Sequence, residues 1–350
     1  MSNPDNNFIH FNCSIPNLHT AKIMQCNGTC TEPLDMPENV LCKVETGKTI
    51  IEIPDNIHLK LPLQMVNVLS DKQDIQTQTQ IRIGKGSKVQ FIHCDDSLGE
   101  QEAKSVNAID VFLDTDSAFD YYKMENLNND SSIETNVNFH LSQGSQLTTY
   151  GFSLNGRHIG NMLNVYLNEP HSTADLNGLY LMDRQQKVET VVNVFHMAET
   201  CRSKQLFKGI LDDAAQATFL GHVFVNHASK GTEAMQINKN ILLTDKAKVN
   251  ARPFLEIYND DVKCSHGATT GQLDEDAMFY LRSRGISFRS ARMLLMYAFC
   301  REVLTTSNIE PLKESIGEII KMRLQGELSA CTNCVFQCAA AHSINELTKP

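Results

Sequence analysis

The sequence of 350 residues contains no tryptophan, and aromatic residues make up only 7% of it. Basic residues are also scarce relative to acidic ones, with 31 Lys and Arg against 41 Asp and Glu, which gives a formal net charge of −10 at pH 7. A chain with this balance has no broad basic face to bind phosphates or anionic lipid headgroups. We therefore expect no nucleic acid and no membrane among its partners.

Long apolar runs are missing as well. The longest strongly apolar stretch, residues 293–300, is far short of the ~20 residues of a membrane-spanning helix. Residues 1–7 are polar, where a signal peptide needs a charged start and then an apolar run. The expected location is cytoplasmic. The eleven cysteines then indicate reduced thiols, mostly small buried side chains, rather than a disulfide framework.

From about residue 40 to residue 258 the dominant pattern is an alternation of apolar and polar residues, as in Ile81-Arg82-Ile83 and Asn193-Val194-Phe195. This alternation is typical of short β-strands, and the Gly, Asp, Asn and Ser residues between the runs are typical of tight turns. Helical periodicity is almost absent from this region. The sequence therefore predicts a mainly β fold.

Four serines mark turns that recur at nearly regular intervals. Ser87, Ser117, Ser145 and Ser172 are separated by 30, 28 and 27 residues. A period in the twenties to low thirties fits the stacked coils of a β-helix. A large β-sandwich also has alternating strands, at intervals of roughly 8–12 residues, so periodicity alone leaves both folds open.

After Gly271 apolar residues recur at helical intervals, which predicts a C-terminal α-helical domain. Gly285 stands where one helix should end, Ser287 can cap the next, and Pro311 suits the first turn of a third. Helices at this position are one way to cover the unpaired strand edges at the end of a solenoid.

We accordingly divide the chain into four segments. Residues 1–39 are an irregular or short-stranded lead-in, and residues 40–270 form the β core. Residues 271–330 are helical, and residues 331–350 are a cysteine-containing tail.

The densest patch of reactive residue types is residues 252–269, where strands give way to helices. Cys264 and His266 are two residues apart and therefore lie on the same side of an extended strand, where both can face one metal or one partner surface. As a structural alternative, the two residues are a buried cysteine and a hydrogen-bonded histidine. A thiol- or metal-dependent enzyme using Cys264 and His266 is a further alternative, although no third catalytic residue or oxyanion hole is identifiable.

This region resembles the signature of the SufB/SufD family of iron–sulfur cluster assembly proteins. The resemblance rests on the runs Lys263-Cys264-Ser265-His266-Gly267-Ala268-Thr269, Tyr280-Leu281-Arg282-Ser283-Arg284-Gly285, Phe207-Lys208-Gly209-Ile210 and Gln236-Ile237-Asn238-Lys239. It covers about residues 155–324. Gly267 follows His266 as in the SufD branch, whereas the SufB branch has a glutamate there.

The resemblance implies a right-handed parallel β-helix flanked by helical domains, which agrees with the turn spacing. It also implies a non-catalytic scaffold subunit that pairs with a SufB-like subunit and whose C-terminal helices bind a SufC-like ATPase. An iron–sulfur cluster would form transiently at the junction, at Cys264 and His266. ATP hydrolysis would belong to the SufC-like partner, since this chain has no Gly-x-x-x-x-Gly-Lys-Ser/Thr loop. We expect the isolated chain to be a homodimer without a tightly bound cofactor.

Other candidates are secondary. His196 and Cys201 also match family positions, with plain alternatives as an inward-facing core residue or a surface residue. Cys331, Cys334 and Cys338 share one face if the tail is helical, which suits cluster ligation or a packing stripe of small residues. The tail, residues 331–350, and the short N-terminal segment, residues 1–39, both differ from the family pattern.

A third class of function is a carbohydrate-binding or lyase-type β-helix. Such a protein would need an exposed acidic or aromatic stripe along one sheet, and no stripe is evident in the sequence.

Overall fold

The structure is a computed structural model that describes residues 15, 17–30, 33–45, 47–70, 74–99, 102–305 and 307–325, with backbone only at Cys30 and Gln325. In this part of the chain, strands fill the sequence up to Gly271 and helices follow. The expectation for the tail cysteines Cys331, Cys334 and Cys338 lies outside the described residues.

The strands form two long sheets that face each other across a common interior, because successive strands along the chain alternate between the two sheets from β4 onward. The ten-stranded sheet contains β1 (Ala21–Cys26), β2 (Thr29–Cys30), β5 (Leu63–Leu69), β7 (Lys88–Ser97), β9 (Ala118–Asn126), β11 (Gln146–Asn155), β13 (Thr173–Met182), β15 (Arg202–Leu211), β17 (Thr232–Leu242) and β19 (Val262–Gly271). The nine-stranded sheet contains β3 (Leu41–Glu45), β4 (Lys48–Ile53), β6 (Asp74–Ile83), β8 (Lys104–Leu113), β10 (Ser132–Leu141), β12 (His158–Leu167), β14 (Lys187–His196), β16 (Gln216–Val225) and β18 (Lys248–Ile257).

Consecutive coils pair in parallel and in register, so the β-helix prediction is confirmed and the sandwich alternative is wrong. In β11, Gln146 pairs with Ala118 of the preceding coil and with Thr173 of the following one, which sets coil lengths of 28 and 27 residues. Because parallel register places equivalent residues on the same face, each inward-facing position becomes a column along the interior.

The four turn serines explain the regular period. All four are fully buried, and the residue before each of them has a positive φ between 57° and 66°. Ser117, Ser145 and Ser172 donate their hydroxyls to the carbonyl three residues earlier at 2.6–2.9 Å. Each of these turns therefore combines a residue in the left-handed conformation with a small buried side chain, whose hydroxyl donates a hydrogen bond to a backbone carbonyl.

The N-terminal segment contributes to the solenoid earlier than residue 40. Strand β1 pairs in parallel with β5 from Ala21↔Leu63 to Cys26↔Val68. Antiparallel pairs β1–β2 and β3–β4 then complete this end of the two sheets. A reversal of strand direction interrupts the parallel stacking, which is one way to protect a sheet edge.

Three helices follow β19, namely α1 (Glu275–Ser283), α2 (Phe288–Leu304) and α3 (Glu310–Gln325). Asp274 caps α1 by accepting the Ala277 amide at 2.9 Å, and Ser287 caps α2 as predicted. Pro311 lies in the first turn of α3, also as predicted. No helix in the described ranges is long and apolar enough to cross a lipid bilayer.

The expectation that the helices cover the end of the solenoid is wrong. Helices α2 and α3 lie on the outer face of the ten-stranded sheet, where they share one apolar cluster with it. Its helical members include Met296, Cys300, Ile316 and Ile320, and its sheet members include Val66, Ile92, Tyr122, Tyr150, Leu179 and Ile210. The helical periodicity identified the apolar side of each helix but carried no information on which surface that side covers.

Buried cations fix the helices in place. Lys208 of β15 is 3% exposed, donates to the Phe299 carbonyl at 2.9 Å, lies over the Phe299 ring and forms an ion pair with Glu302. Near the other end of the helical layer, Arg323 pairs with Asp183 at 2.8 Å. These contacts join the two layers at specific points.

The outer face of the nine-stranded sheet carries an aromatic stripe that the sequence did not make evident. Phe112, His140, Tyr166 and Phe195 stack with ring centroids 4.9–5.0 Å apart and planes within 11° of parallel. A sugar stacks on an open ring face, whereas neighbouring rings of this stripe cover each other's faces. The stripe therefore stabilises coil stacking and does not support the carbohydrate-binding alternative.

We predict that Lys208→Met weakens helix docking by about 2 kcal/mol, since it removes a charge-assisted hydrogen bond to a backbone carbonyl and an ion pair. Hydrogen exchange should then become faster in α2 while the central strands keep their protection. The matched control is Lys239→Met, because Lys239 approaches the same Glu302 at 4.0 Å but is 41% exposed. That change should shift stability by about 0.5 kcal/mol or less. Equal effects of the two changes would contradict the assigned role of Lys208.

Candidate functional site

Cys264 and His266 lie together on β19, the last strand of the ten-stranded sheet. Cys264 pairs in register with Ala234, and His266 pairs with Gln236, both of which are buried inward-facing residues of β17. The two side chains therefore share the inner face, at the last layer of the solenoid. Cys264 is half-buried and His266 is exposed.

The environment of Cys264 favours the neutral thiol. Burial raises the pKa of Cys264, and a hydrogen bond with the Ala234 backbone opposes this only in part. Lys263 is on the other face of the strand, where it pairs with Glu233 at 3.3 Å. Because nucleophilic cysteines depend on a lowered pKa, this environment gives no support to the enzyme alternative.

In the part of the chain that the structure describes, the strand edges at this end of the solenoid are open. β18 and β19 are the terminal strands of their sheets, so among the described residues each pairs with a strand on one side only. Each strand has ten residues. Phe254, Ile257 and Tyr258 of this last coil are 39–47% exposed, which adds apolar surface beside the free edges. Exposed long edges of this kind are surfaces for strand pairing with another chain.

His196 lies deeper in the solenoid. It is fully buried at the end of β14, with Nε2 2.8 Å from the Ser203 hydroxyl, while its Nδ1 has no partner among the described residues. Ser203 pairs with Ala234, which pairs with Cys264. Ser203, Ala234 and Cys264 thus form a column of inward-facing residues. His196 contacts this column through Ser203, about two strand spacings away from Cys264.

Cys201 occupies a turn rather than the strand-end site. Its Sγ lies 3.3 Å from both the Ser172 hydroxyl and the Glu169 carbonyl. Burial raises the pKa of this thiol. As a metal ligand Cys201 stays a prediction, and its contacts are those of a buried turn residue.

A buried charged cluster inside the solenoid was missed by the sequence reasoning. Lys123 forms an ion pair with Asp95, and Asn67 donates to the same carboxylate at 2.8 Å. Burial raises the pKa of Asp95, but Lys123 and His93 outweigh it and the pKa lies well below its usual range. The available signal was the strand alternation itself, which places Lys123 on the same face as the inward-facing Tyr121.

The sequence of this chain matches a known protein family. Residues 67–299 match the family model described as "SUF system FeS cluster assembly, SufBD core domain". This match covers more than half of the chain, from the first full coils to α2. The chain belongs to the SufBD core family.

Within that family the chain is SufD-like. It is similar to the iron–sulfur cluster assembly protein SufD of Escherichia coli, with 36% identity over 186 residues, which is 53% of this chain and 44% of that protein. A SufBD family protein of Synechocystis is 28% identical over 300 residues, covering 83% of this chain and 64% of its own length. SufD of Bacillus subtilis is 24% identical over 286 residues, or 80% and 64%. The chain thus spans less than two thirds of these relatives.

We predict that His196 makes the protein sensitive to acid. Burial lowers the pKa of His196 to about 4 from 6.5, so the unfolded state takes up this proton first and stability is lost as pH falls from about 6.5 to 4. The contribution is on the order of 3 kcal/mol. Urea unfolding at pH 7 and pH 4 should show a smaller loss for His196→Gln than for the unchanged protein, and an equal loss in both would contradict the assignment.

Proposed function

We propose that this chain is a non-catalytic scaffold subunit for iron–sulfur cluster assembly. It acts with a SufB-like subunit and a SufC-like ATPase whose ATP hydrolysis drives assembly. The observation that carries the proposal is that Cys264 and His266, a thiol and an imidazole, share the inner face of β19, the terminal strand of its sheet among the described residues. The cluster is the cargo of this site and forms transiently where the two subunits meet.

The number of ligands favours a site shared between subunits. Among the described residues, no group of three or more His, Cys, Asp or Glu side chains could hold a metal ion. Iron–sulfur clusters and tetrahedral metal sites usually take four protein ligands. Among the described residues Cys264 and His266 therefore supply only part of a coordination shell, and we expect a partner at the open end to supply the remainder.

The chemistry of the edge favours a second β-helix as that partner. The free edges of β18 and β19 present backbone donors and acceptors in two parallel rows, and a second solenoid end offers the same pattern. A SufB-like subunit fits this description, and in its absence a second copy of this chain does so, which accounts for the proposed homodimer of the isolated protein.

Helix α1 is the best-supported surface for the ATPase. It buries none of its residues, in contrast to α2 and α3. Phe279 and Tyr280 on α1 and Phe288 at the start of α2 are 53–75% exposed. Aromatic residues flanked by arginines are enriched at the centres of protein interfaces. Arg284 already lies over the Tyr280 ring at 5.2 Å.

We predict that Cys264→Ser and His266→Ala leave folding and subunit assembly intact but reduce cluster formation on the purified complex. Neither side chain fills the core, so unfolding free energies should change by less than about 1 kcal/mol. Cluster loading is read from visible absorbance and iron content, and assembly is read from co-purification with the SufB-like and SufC-like partners.

Cys42→Ser is the matched control, because Cys42 is a partly buried thiol at the opposite end of the solenoid. Full cluster loading by the Cys264→Ser, His266→Ala double variant would refute the role of this site. Failure of either single variant to fold would return both residues to a structural role.

A separate prediction concerns the ATPase. Phe279→Ser together with Tyr280→Ser should weaken binding of the SufC-like ATPase by at least about tenfold, as expected for interface anchors. The control is Met162→Ser, which removes a side chain of 41% exposure on the nine-stranded sheet. Binding is measured by calorimetry. Unchanged affinity in the α1 variant would place the contact elsewhere. Deleting all three helices is not a usable test, since it would expose the apolar face of the ten-stranded sheet.

A further inference from the structure

An unpaired acceptor lies directly beneath His266. Gln236 pairs in register with His266 and is fully buried. Its amide nitrogen Nε2 donates to Oε1 of Gln205, in the next coil inward, at 2.8 Å. Its own Oε1 has no hydrogen-bond partner among the described residues, and neither does Nε2 of Gln205. The two glutamines thus form a short amide ladder with a free donor on its inner residue and a free acceptor on the residue nearest the open end.

The opposite sheet leaves space for the Gln236 amide. Gly221 of β16 faces Gln236 across the interior, and a Cβ at Gly221 would lie 1.8 Å from Gln236 Nε2. The amide therefore occupies space that any other residue at position 221 would fill. With Gly221 on one side and Gln205 beneath it, Gln236 has little freedom to satisfy its oxygen within its own coil.

The asparagines of the same strand do not compete for this acceptor. Asn240 donates to Asn238 at 2.6 Å, and Asn238 donates to the Tyr180 hydroxyl at 3.3 Å, so these groups form a separate network. Beneath Cys264 the equivalent residue is Ala234, which has no polar side chain. His266 is the ring donor that the register places next to Gln236.

We propose that Gln236 is a positioning residue for His266. Its Oε1 accepts one ring N–H of His266, which holds the imidazole as a single neutral tautomer and leaves the other ring nitrogen free to ligate. Histidine ligands commonly have their orientation and tautomer fixed by such a second hydrogen bond. This role deepens the proposed function and rests on it for the identity of the ligand, whereas the hydrogen bond can be tested in the chain alone.

The test is ¹⁵N NMR of the histidine rings in the full chain, labelled on histidine, at a pH where the rings are neutral. The His266 signals are assigned by their loss in His266→Gln. The unchanged protein should show one tautomer of His266, since only one nitrogen carries the proton that Gln236 accepts. Gln236→Met has similar size and no acceptor, and should show exchange between both tautomers.

Gln205→Met is the matched control. It removes the same interior hydrogen bond as Gln236→Met but leaves the Gln236 oxygen in place, so His266 should keep its single tautomer. If Gln236→Met does not fold, Gln236→Asn replaces it, since the shorter side chain withdraws the acceptor by one methylene.

Three results would overturn the proposal: mixed tautomers in the unchanged protein, a single tautomer retained without the Gln236 acceptor, or equal mixing in the Gln236 and Gln205 variants, which would indicate general loosening. None of these readings depends on a cluster or a partner, so failure of the cluster-assembly role would leave them unchanged.

Discussion

The structure depends on the in-register parallel hydrogen bonding between successive coils. The backbone N–H and C=O groups of each strand form hydrogen bonds with the coil before it and the coil after it. The first and last coils lack one of these neighbours, so the stack has to be terminated at both ends. At the N-terminal end, antiparallel pairs β1–β2 and β3–β4 interrupt the parallel pattern. At the other end of the described solenoid, β18 and β19 each have one free edge. This asymmetry makes the C-terminal end the natural place for association with another solenoid.

The same register determines the chemistry at that end. A column of inward-facing side chains runs from the interior to the final coil, where Cys264 and His266 complete two adjacent columns. Inside the stack, such residues are enclosed by the next coil. At the last coil they face whatever covers the end, so a thiol and an imidazole become available to a partner without a separate loop or pocket. Helices α2 and α3 do not cover this end, because they pack on the outer face of the ten-stranded sheet.

Much of the fold and of the candidate site was predictable, because the residues that indicate them recur at fixed intervals along the chain. The turn serines gave the coil period, and the spacing of Cys264 and His266 gave a shared face on a strand. Contacts between coils were not predictable in the same way. Phe112 and His140 stack although they are 28 residues apart, and Lys208 is buried only because α2 lies over it. The Gln236–Gln205 ladder likewise depends on the register and on the empty space at Gly221. Local periodicity does not specify such pairings, since they follow from tertiary packing.

The proposed function requires the open end of the solenoid to be the surface that joins this chain to its partner subunit. The most direct measurement is amide hydrogen exchange of the isolated chain and of its complex with a SufB-like subunit. We expect protection to increase most in β18 and β19, whose edge amides gain partners on association, while β3 and β4 at the opposite end stay unchanged. A stable complex in which β18 and β19 exchange as fast as in the isolated chain would contradict it.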